Sequence, residues 1–447
     1  MRSVSYKNII FKPPLIFPML NRTTPPSICK PGHSPVREPA CVRMPNGIPV
    51  YVFDAGESDV VRMDLLFEGG RWHQEQPLQA LFANRMLREG TVRFSSGEIA
   101  ERLDYYGAWL ELASAAEYTY LTLYSLGKYL SETLAVLESV VKEPLFPEQE
   151  LKVVLETNVR QFLVNSSKAE FLAGRSLMNF LYGPAHPAGH ILCEEDYRCI
   201  TPEVLRHFYD RYYHSVNCSI YLAGRIDEHC LRLVEEHFGK ESFGSDFREA
   251  EKQRFLPAGS PEKTRFLERK GASQNAVRMG MLSLNQHHPD YLKLRVLVTL
   301  FGGYFGSRLM SNIREQKGYT YGISAGLLPY PGEGVLTISA DTTPQYVEPL
   351  CREVYVEMDR LCGERVSGEE LERVRNYMLG EMCRSYESVF SLSDAWIFIH
   401  ISGLDRSYFT GIVEAIESVT PDELQSLAQK YLCKENLKVV VCGENFS

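Results

Sequence analysis

The chain has 447 residues, of which 44% are hydrophobic, 23% charged and 11% aromatic. That is the make-up of a folded protein of roughly two to four domains, without the Gly, Pro or Cys excess of a fibrous, disordered or disulfide-dense chain. The net charge of −9, from 57 acidic and 48 basic residues, excludes a nucleic-acid partner, whose phosphates need a cationic surface.

From the N-terminus, Lys7, Lys12, Pro13, Pro14 and Pro18 interrupt every short apolar stretch, and no small-residue cleavage signature follows. Residues 1–44 are therefore expected to be a partly irregular, non-secretory extension, with Met19 a second candidate start. Nowhere does an apolar run approach the ~18 residues of a spanning helix, so no membrane partner is expected. The eleven cysteines are scattered and form no C-x-x-C, which points to reduced thiols and a cytoplasmic location.

Hydrophobic periodicity predicts a strand at 59–68, helices at 77–88 and 97–106, and an alternating hairpin from Trp109 to Leu126. A helix at 129–141 and two long helices between Pro147 and Leu181 follow. Gly239–Thr264, rich in charge, Gly, Ser and Pro, reads as a linker. Beyond it come a strand at 274–284, helices near 289–301 and 306–316, a hairpin over 319–341, and helices at 346–362 and from Ser367 onwards. Strands and paired helices without βαβ alternation predict an α+β fold with antiparallel-rich sheets.

The chain repeats itself. Ile200–Ile226, ITPEVLRHFYDRYYHSVNCSIYLAGRI, matches Val419–Asn445, VTPDELQSLAQKYLCKENLKVVVCGEN, without a gap: Thr201 and Thr420, like Gly224 and Gly443, lie 219 apart (420 − 201). Each copy has a Thr N-cap, Pro at the first helical position, an amphipathic helix, a β-branched strand and a Gly stop. A weaker echo sets VRMDLLFEGG at Val61 against VRMGMLSLN at Val277. Two homologous halves are expected, 45–238 and 265–447, joined by the linker 239–264.

Gly69-Gly70, Met86-Leu87-Arg88-Glu89-Gly90-Thr91, Glu98-Ile99-Ala100 and Pro144-Leu145-Phe146 stand in an order that resembles the first half of the M16 (pitrilysin/insulinase) family of zinc peptidases and the related mitochondrial processing peptidase. The resemblance runs from about residue 45 to the end. It implies two α/β-sandwich halves of the LuxS/MPP-like metallohydrolase type. Active members carry H-x-x-E-H just before M-L. Its two His, four apart, share a helical face and reach one metal, and its Glu serves as general base. Here those five positions are Leu81-Phe82-Ala83-Asn84-Arg85. Leu81 and Arg85 replace the histidines and Asn84 the base; with Glu150 taken as the family's earlier Glu, the third ligand position is Thr157. Arg85 would repel a cation, so no metal is expected in this chain.

No other cluster substitutes. His186 and His190, followed by Glu194 and Glu195, are separated by Pro187 and Gly189, which preclude a shared helical face. His287-His288 are adjacent and cannot share one, and His214 and His400 are isolated.

Gly302-Gly303-Tyr304-Phe305-Gly306-Ser307-Arg308-Leu309, then Asn312 to Gly322, closely resembles the family's second-half signature, in which an Arg and a Tyr seven residues apart hold the substrate peptide at the zinc half. The resemblance assigns substrate contact to Arg314 and Tyr321, with Gly302 and Gly303 beside them. Without G-K-[ST] the glycines are no nucleotide loop. A sheet edge at Leu110–Glu117, with Leu112, Ala113, Ser114 and Ala115 as contacts, would take the peptide as an added strand.

The zinc half is disabled and the Arg/Tyr half intact. The expectation is the non-zinc subunit of a heterodimeric M16 peptidase, inert alone, acting on peptide substrates at the zinc of an H-x-x-E-H partner. The alternative is an inactive structural or peptide-binding pseudopeptidase, as the core subunits of the respiratory bc1 complex resemble the family without proteolysis. The acidic net charge suggests tolerance for basic peptides.

Overall fold

A computed structural model describes residues 23, 36–55, 59–244 and 255–445; the candidate start at Met19, most of the extension 1–44 and the centre of the linker lie outside them. The first half, with the end of the extension added to it as strand β1 (Ala40–Arg43), contributes β2 (Pro49–Asp54), β3 (Val60–Glu68), β4 (Trp109–Ser114), β5 (Tyr118–Leu126) and β6 (Cys218–Gly224). They form one six-stranded sheet in the order β1-β2-β6-β3-β5-β4. Every pair is antiparallel except β2 with β6. The strand VVRMDLLFE is buried along nearly its whole length, as a central strand covered on both faces must be. Around it lie α1 (Gln79–Met86), α2 (Ser96–Tyr105), α3 (Leu130–Lys142), α4 (Glu148–Ser166), α5 (Ala169–Tyr182), α6 (Glu194–Arg198), α7 (Pro202–Tyr212) and α8 (Glu228–Val234).

The second half repeats the plan. Strands β7 (Thr264–Glu268), β8 (Asn275–Ser283), β9 (Thr320–Pro329), β10 (Gly334–Thr342) and β11 (Lys438–Gly443) run in the order β7-β11-β8-β10-β9, again with one parallel pair, β7 with β11. Its helices are α9 (Tyr291–Val298), α10 (Val347–Gly363), α11 (Gly368–Ser385), α12 (Val389–Ile401), α13 (Ser407–Ser418) and α14 (Pro421–Tyr431). The architecture is α+β, two mixed, mainly antiparallel sheets flanked by helices. α9 runs on into a wide π-type turn at Thr299–Gly303, and Met310–Gln316 is π-helical throughout, where the sequence suggested ordinary helices.

The ungapped repeat corresponds to one repeated unit. Thr201 and Thr420 both cap their helices, accepting from the N–H groups of Val204 (3.3 Å) and Glu423 (3.2 Å), and Gly224 and Gly443 both take positive φ at the strand ends. The weaker echo is out of register. Arg62 opposes Ala223, and Cys442, 219 residues on from Ala223, opposes Ala276. The central strands are thus offset by 214 (276 − 62), so Val61 and Val277 stand two residues apart in the repeat. A two-residue slip keeps every side chain on its face, which is why the echo survives.

The sheets follow the sequence halves, but two helices do not. α5, from the first half, lays Ala173, Leu177, Phe180 and Leu181 against Ala276, Val335, Val440 and Cys442 of the second sheet. Full burial of each large side chain there contributes roughly 1.5–3 kcal/mol. In return α12, from the second half, covers the first sheet. His400 Nδ1 lies 2.9 Å from the Tyr221 hydroxyl, and its ring packs 4.5 Å from that of Tyr51. Arg62, on β3, reaches the same helix: it contacts Asp394 at 2.6 Å and donates to the Phe390 carbonyl at 3.4 Å, while pairing with Asp64 at 2.9 Å. Thr122 donates to Asp64 at 2.6 Å.

Removing one partner of a buried pair strands the other's charge. Arg62→Ala should therefore cost about 3–5 kcal/mol in urea-induced unfolding. A loss under about 1 kcal/mol would show that Arg62 behaves as a surface pair does and that the joint does not depend on it.

Candidate functional site

The helix that matches the zinc helix of the family is α1. Its start is marked by Leu78 in the left-handed region, φ 71°. Asn84 is buried and donates to the Tyr120 carbonyl at 3.4 Å; Leu81 and Arg85 are half-buried. Arg85 reaches α4, where its guanidinium donates to the Asn158 side-chain oxygen. Asn158 presents that oxygen because its amide donates to the Val154 carbonyl at 2.7 Å. Burial lowers the pKa of Arg85, as does the nearby Arg88, while Tyr197 opposes the shift.

Thr157, the expected third ligand position, is exposed, as is Glu156, which sits 3.7 Å from Arg160. One residue is about 100° of helix. Val154 and Asn158, four apart, share the inner face, so the residue that meets α1 is Asn158 and not Thr157. Leucine, asparagine and a guanidinium supply no donor set for zinc, and the residues of this locus do not fit the metal. Among the described residues no group of three or more His, Cys, Asp and Glu side chains is placed to hold one. His186 is buried in a turn, and His190 pairs with Asp196 at 3.0 Å.

The Arg/Tyr segment is differently built. Gly302 is buried, and a Cβ there would lie 2.6 Å from that of Ala325. It lets the helix approach β9 and offers no surface to a substrate, so its place among the contacts is corrected to one of packing. Gly303, next to it, is exposed. The π-helical stretch that follows is clamped from below. Arg308 makes two bonds to Glu370 of α11 (2.8 and 2.9 Å), and Asn312 donates to Glu353 (3.0 Å) and Glu357 (2.7 Å) of α10. Lys317 reaches Glu353 at 3.0 Å and thereby lowers that carboxyl's pKa. The sequence gives no sign of these partners, which lie 36 to 62 residues away. The one available signal was the four-residue spacing of Arg308 and Asn312, which puts two polar side chains on one helical face.

Held on this platform, Arg314 lies over the ring of Phe305, 4.7 Å from its centroid. Tyr321 is 89% exposed. It sits at the start of β9, an edge strand, where the pairing with β10 slips between Ala340 and Thr342. The Thr320 hydroxyl spans the slip, 2.7 Å from the Asp341 carbonyl, and accepts from the Gly322 N–H at 3.1 Å. Such a bulge re-aims a side chain, here outward. Neither the guanidinium of Arg314 nor the phenol of Tyr321 has a hydrogen-bond or ion-pair partner in the described residues.

β4 is the other edge of interest, the outermost strand of the first sheet beside α1. Leu112, Ala113 and Ser114 belong to it. Ala115 does not: its N–H donates to Tyr118 and its carbonyl accepts from Arg71, both within the chain (2.8 and 2.9 Å). A docked strand could use the edge only up to Ser114.

Two family profiles match the chain. "Insulinase (Peptidase family M16)" covers residues 57–193 and "Peptidase M16 inactive domain" residues 200–378, together more than two thirds of the sequence. The Bacillus subtilis "Uncharacterized zinc protease YmxG" is 25% identical over 351 residues, 77% of this chain and 84% of that protein. An "Uncharacterized zinc protease" of Rickettsia felis is 23% identical over 351 residues, 78% and 84% respectively. A solved "peptidase M16 inactive domain" from Pseudomonas fluorescens shares the fold at a TM-score of 0.79 and 23% identity, covering 91% of this chain and 98% of that one. A protease from Helicobacter pylori does so at 0.80 and 16%, covering 91% and 100%.

Because Asn158 is the acceptor for Arg85, Asn158→Ala should leave a half-buried guanidinium unpaired and destabilise the chain by about 1–3 kcal/mol, read from thermal or urea unfolding. Arg85→Leu in the Asn158→Ala background should recover part of that loss. An Asn158→Ala variant as stable as the parent would mean that water satisfies Arg85.

Proposed function

The chain belongs to the M16 (insulinase) peptidase family, and on that premise we propose that it is the non-zinc subunit of a two-chain peptidase, lending Arg314 and Tyr321 to the zinc site of an H-x-x-E-H partner. The observation that carries this reading is the outward presentation of Tyr321, 89% exposed, seven residues on from an Arg314 that lies over Phe305 with no hydrogen-bond or ion-pair partner among the described residues. Two such groups on a rigid platform, unused within their own chain, are suited to a surface supplied by another.

Their chemistry fits peptide hydrolysis. The guanidinium is a fixed fork of donors for a peptide carbonyl. The phenol can donate to the carbonyl oxygen as it becomes an oxyanion under attack by water. The partner's metal would supply the activated water; this chain would bind the peptide, align its carbonyl and stabilise the developing charge. Arg85 in place of a ligand, bonded to Asn158, supports inertness of the chain alone. A pseudopeptidase that captures peptides without cleaving them is the second reading, favoured by the open β4 edge. A cytoplasmic setting is supported by the ten described cysteines, all free; no described helix is long and apolar enough to cross a membrane.

With such a partner, Arg314→Ala or Tyr321→Phe should lower kcat by about 100- to 1,000-fold, the usual effect of losing one oxyanion donor. Comigration of the subunits in gel filtration should be unaffected. Unchanged kinetics would remove the role assigned to either residue and leave the pseudopeptidase reading.

A further inference from the structure

Beyond the end of β4 lies a cleft of about 610 Å³ in the first half, closed on one side by Phe255 of the linker, and its charge is opposite to that of the chain. Arg71, Arg175 and Arg211 line it against a single carboxylate, Glu75. Glu75 is committed: it pairs with Arg211 at 3.1 Å and has His207 at 3.6 Å. Arg71 and Arg175 have no carboxylate partner among the described residues. Arg71 is exposed and Arg175 half-buried; desolvation and, more weakly, repulsion from Arg175 lower the pKa of Arg71, and both guanidinium groups oppose the burial that raises the pKa of the Tyr330 phenol. Two guanidinium groups lining one cleft, with no carboxylate partner among the described residues, suit an anionic ligand.

The cleft is a built feature. Gly70 packs so closely on the β4–β5 turn that a Cβ would lie 2.5 Å from the Ala116 carbonyl. The N–H groups of Arg71 and Trp72 then donate to Ala115 and Ala116 (2.9 and 2.8 Å). This fixes Arg71 one residue past Ser114, the last position of the open edge, whose hydroxyl is buried and has no partner among the described residues. Trp72, which lines the cleft, is backed by Tyr330 of the second half, whose ring is parallel to it at 6.2 Å. Behind them His186 is 3% exposed. Its Nδ1 accepts from the Ala188 N–H at 3.0 Å, so Nε2 carries a proton, and that donor has no acceptor among the described residues.

We propose that this cleft receives a carboxylate of a peptide lying along β4, either an acidic side chain or the peptide's own C-terminus, held between Arg71 and Arg175. The inference rests on the peptide-docking part of the proposed function but not on its catalytic part. It reverses the preference for basic peptides that the net charge of −9 suggested, because a ligand senses the charges within about a Debye length, near 10 Å, and not the sum over the chain.

The test uses the full chain alone, without partner or metal, and fluorescence anisotropy of four extended peptides of one sequence. They carry Glu with an amidated C-terminus, Gln with an amidated C-terminus, Gln with a free C-terminus, and Lys with an amidated C-terminus. At least one carboxylate-bearing peptide should bind about 10- to 100-fold more tightly than the Gln amide, and the Lys peptide more weakly still. Whichever of the two responds identifies the source of the carboxylate. Arg71→Ala and Arg175→Ala should each abolish the preference, Arg71→Lys should keep part of it, and Arg373→Ala, at an exposed position of α11 in the other half, should keep all of it. Equal binding of all four peptides, no binding of any, or a preference that survives both alanine variants would overturn the proposal. Hydrolysis by the two-chain complex would be untouched by that failure, so the two readings fall separately.

Discussion

The architecture depends on a reciprocal exchange of helices. Neither sheet is covered by its own half alone: α5 crosses to the second sheet and α12 to the first. At one of these joints stands Arg62, 8% exposed, between Asp64 of its own strand and Asp394 of the incoming helix. Burial works against its charge, but the two carboxylates outweigh that and raise its pKa. A buried guanidinium is tolerable only with its partners in place, so the first sheet is complete only when the second half is docked. The relation of the two halves is thereby fixed, and with it the place of Tyr330 behind Trp72.

The repeat gives the two sheets matching outer strands, β4 and β9, and each is used differently. β4 is straight and leaves its edge open beside α1, the helix whose metal-binding positions are filled by Arg85 and its bond to Asn158. β9 is bulged at its start, and the bulge turns Tyr321 away from the chain while α10 and α11 clamp the helix carrying Arg314. A single ancestral unit has thus yielded one edge able to accept a strand and one that presents side chains. This asymmetry, more than the missing motif alone, supports a division of labour between chains.

Much of this was legible in the sequence where the signal is local. The strand at 59–68, the hairpin from Trp109 and the Thr-Pro helix starts are governed by alternation and capping, and they fall within a residue or two of the observed bounds. Loss of the zinc motif was legible because it is a matter of residue type at Leu81, Asn84 and Arg85. What depends on phase or on distant partners was not. Thr157 and Asn158 are neighbours in sequence but about 100° apart on α4, and only one faces α1. Gly302 read as a substrate contact, yet its lack of a side chain serves Ala325. α12, VFSLSDAWIFIHI, is apolar nearly all round, a pattern that announces burial without saying whose sheet buries it. The cationic cleft was invisible because Arg71, Arg175 and Tyr330 converge only in space, within a chain whose total charge has the other sign.

The central claim, that this chain contributes side chains and its partner the metal, is tested most directly by native mass spectrometry of the chain copurified from its own cells. The account predicts a heterodimer with an H-x-x-E-H chain carrying one zinc ion per pair, and a lone chain that carries none. Stoichiometric zinc on the lone chain, together with peptide cleavage abolished by a chelator, would contradict it.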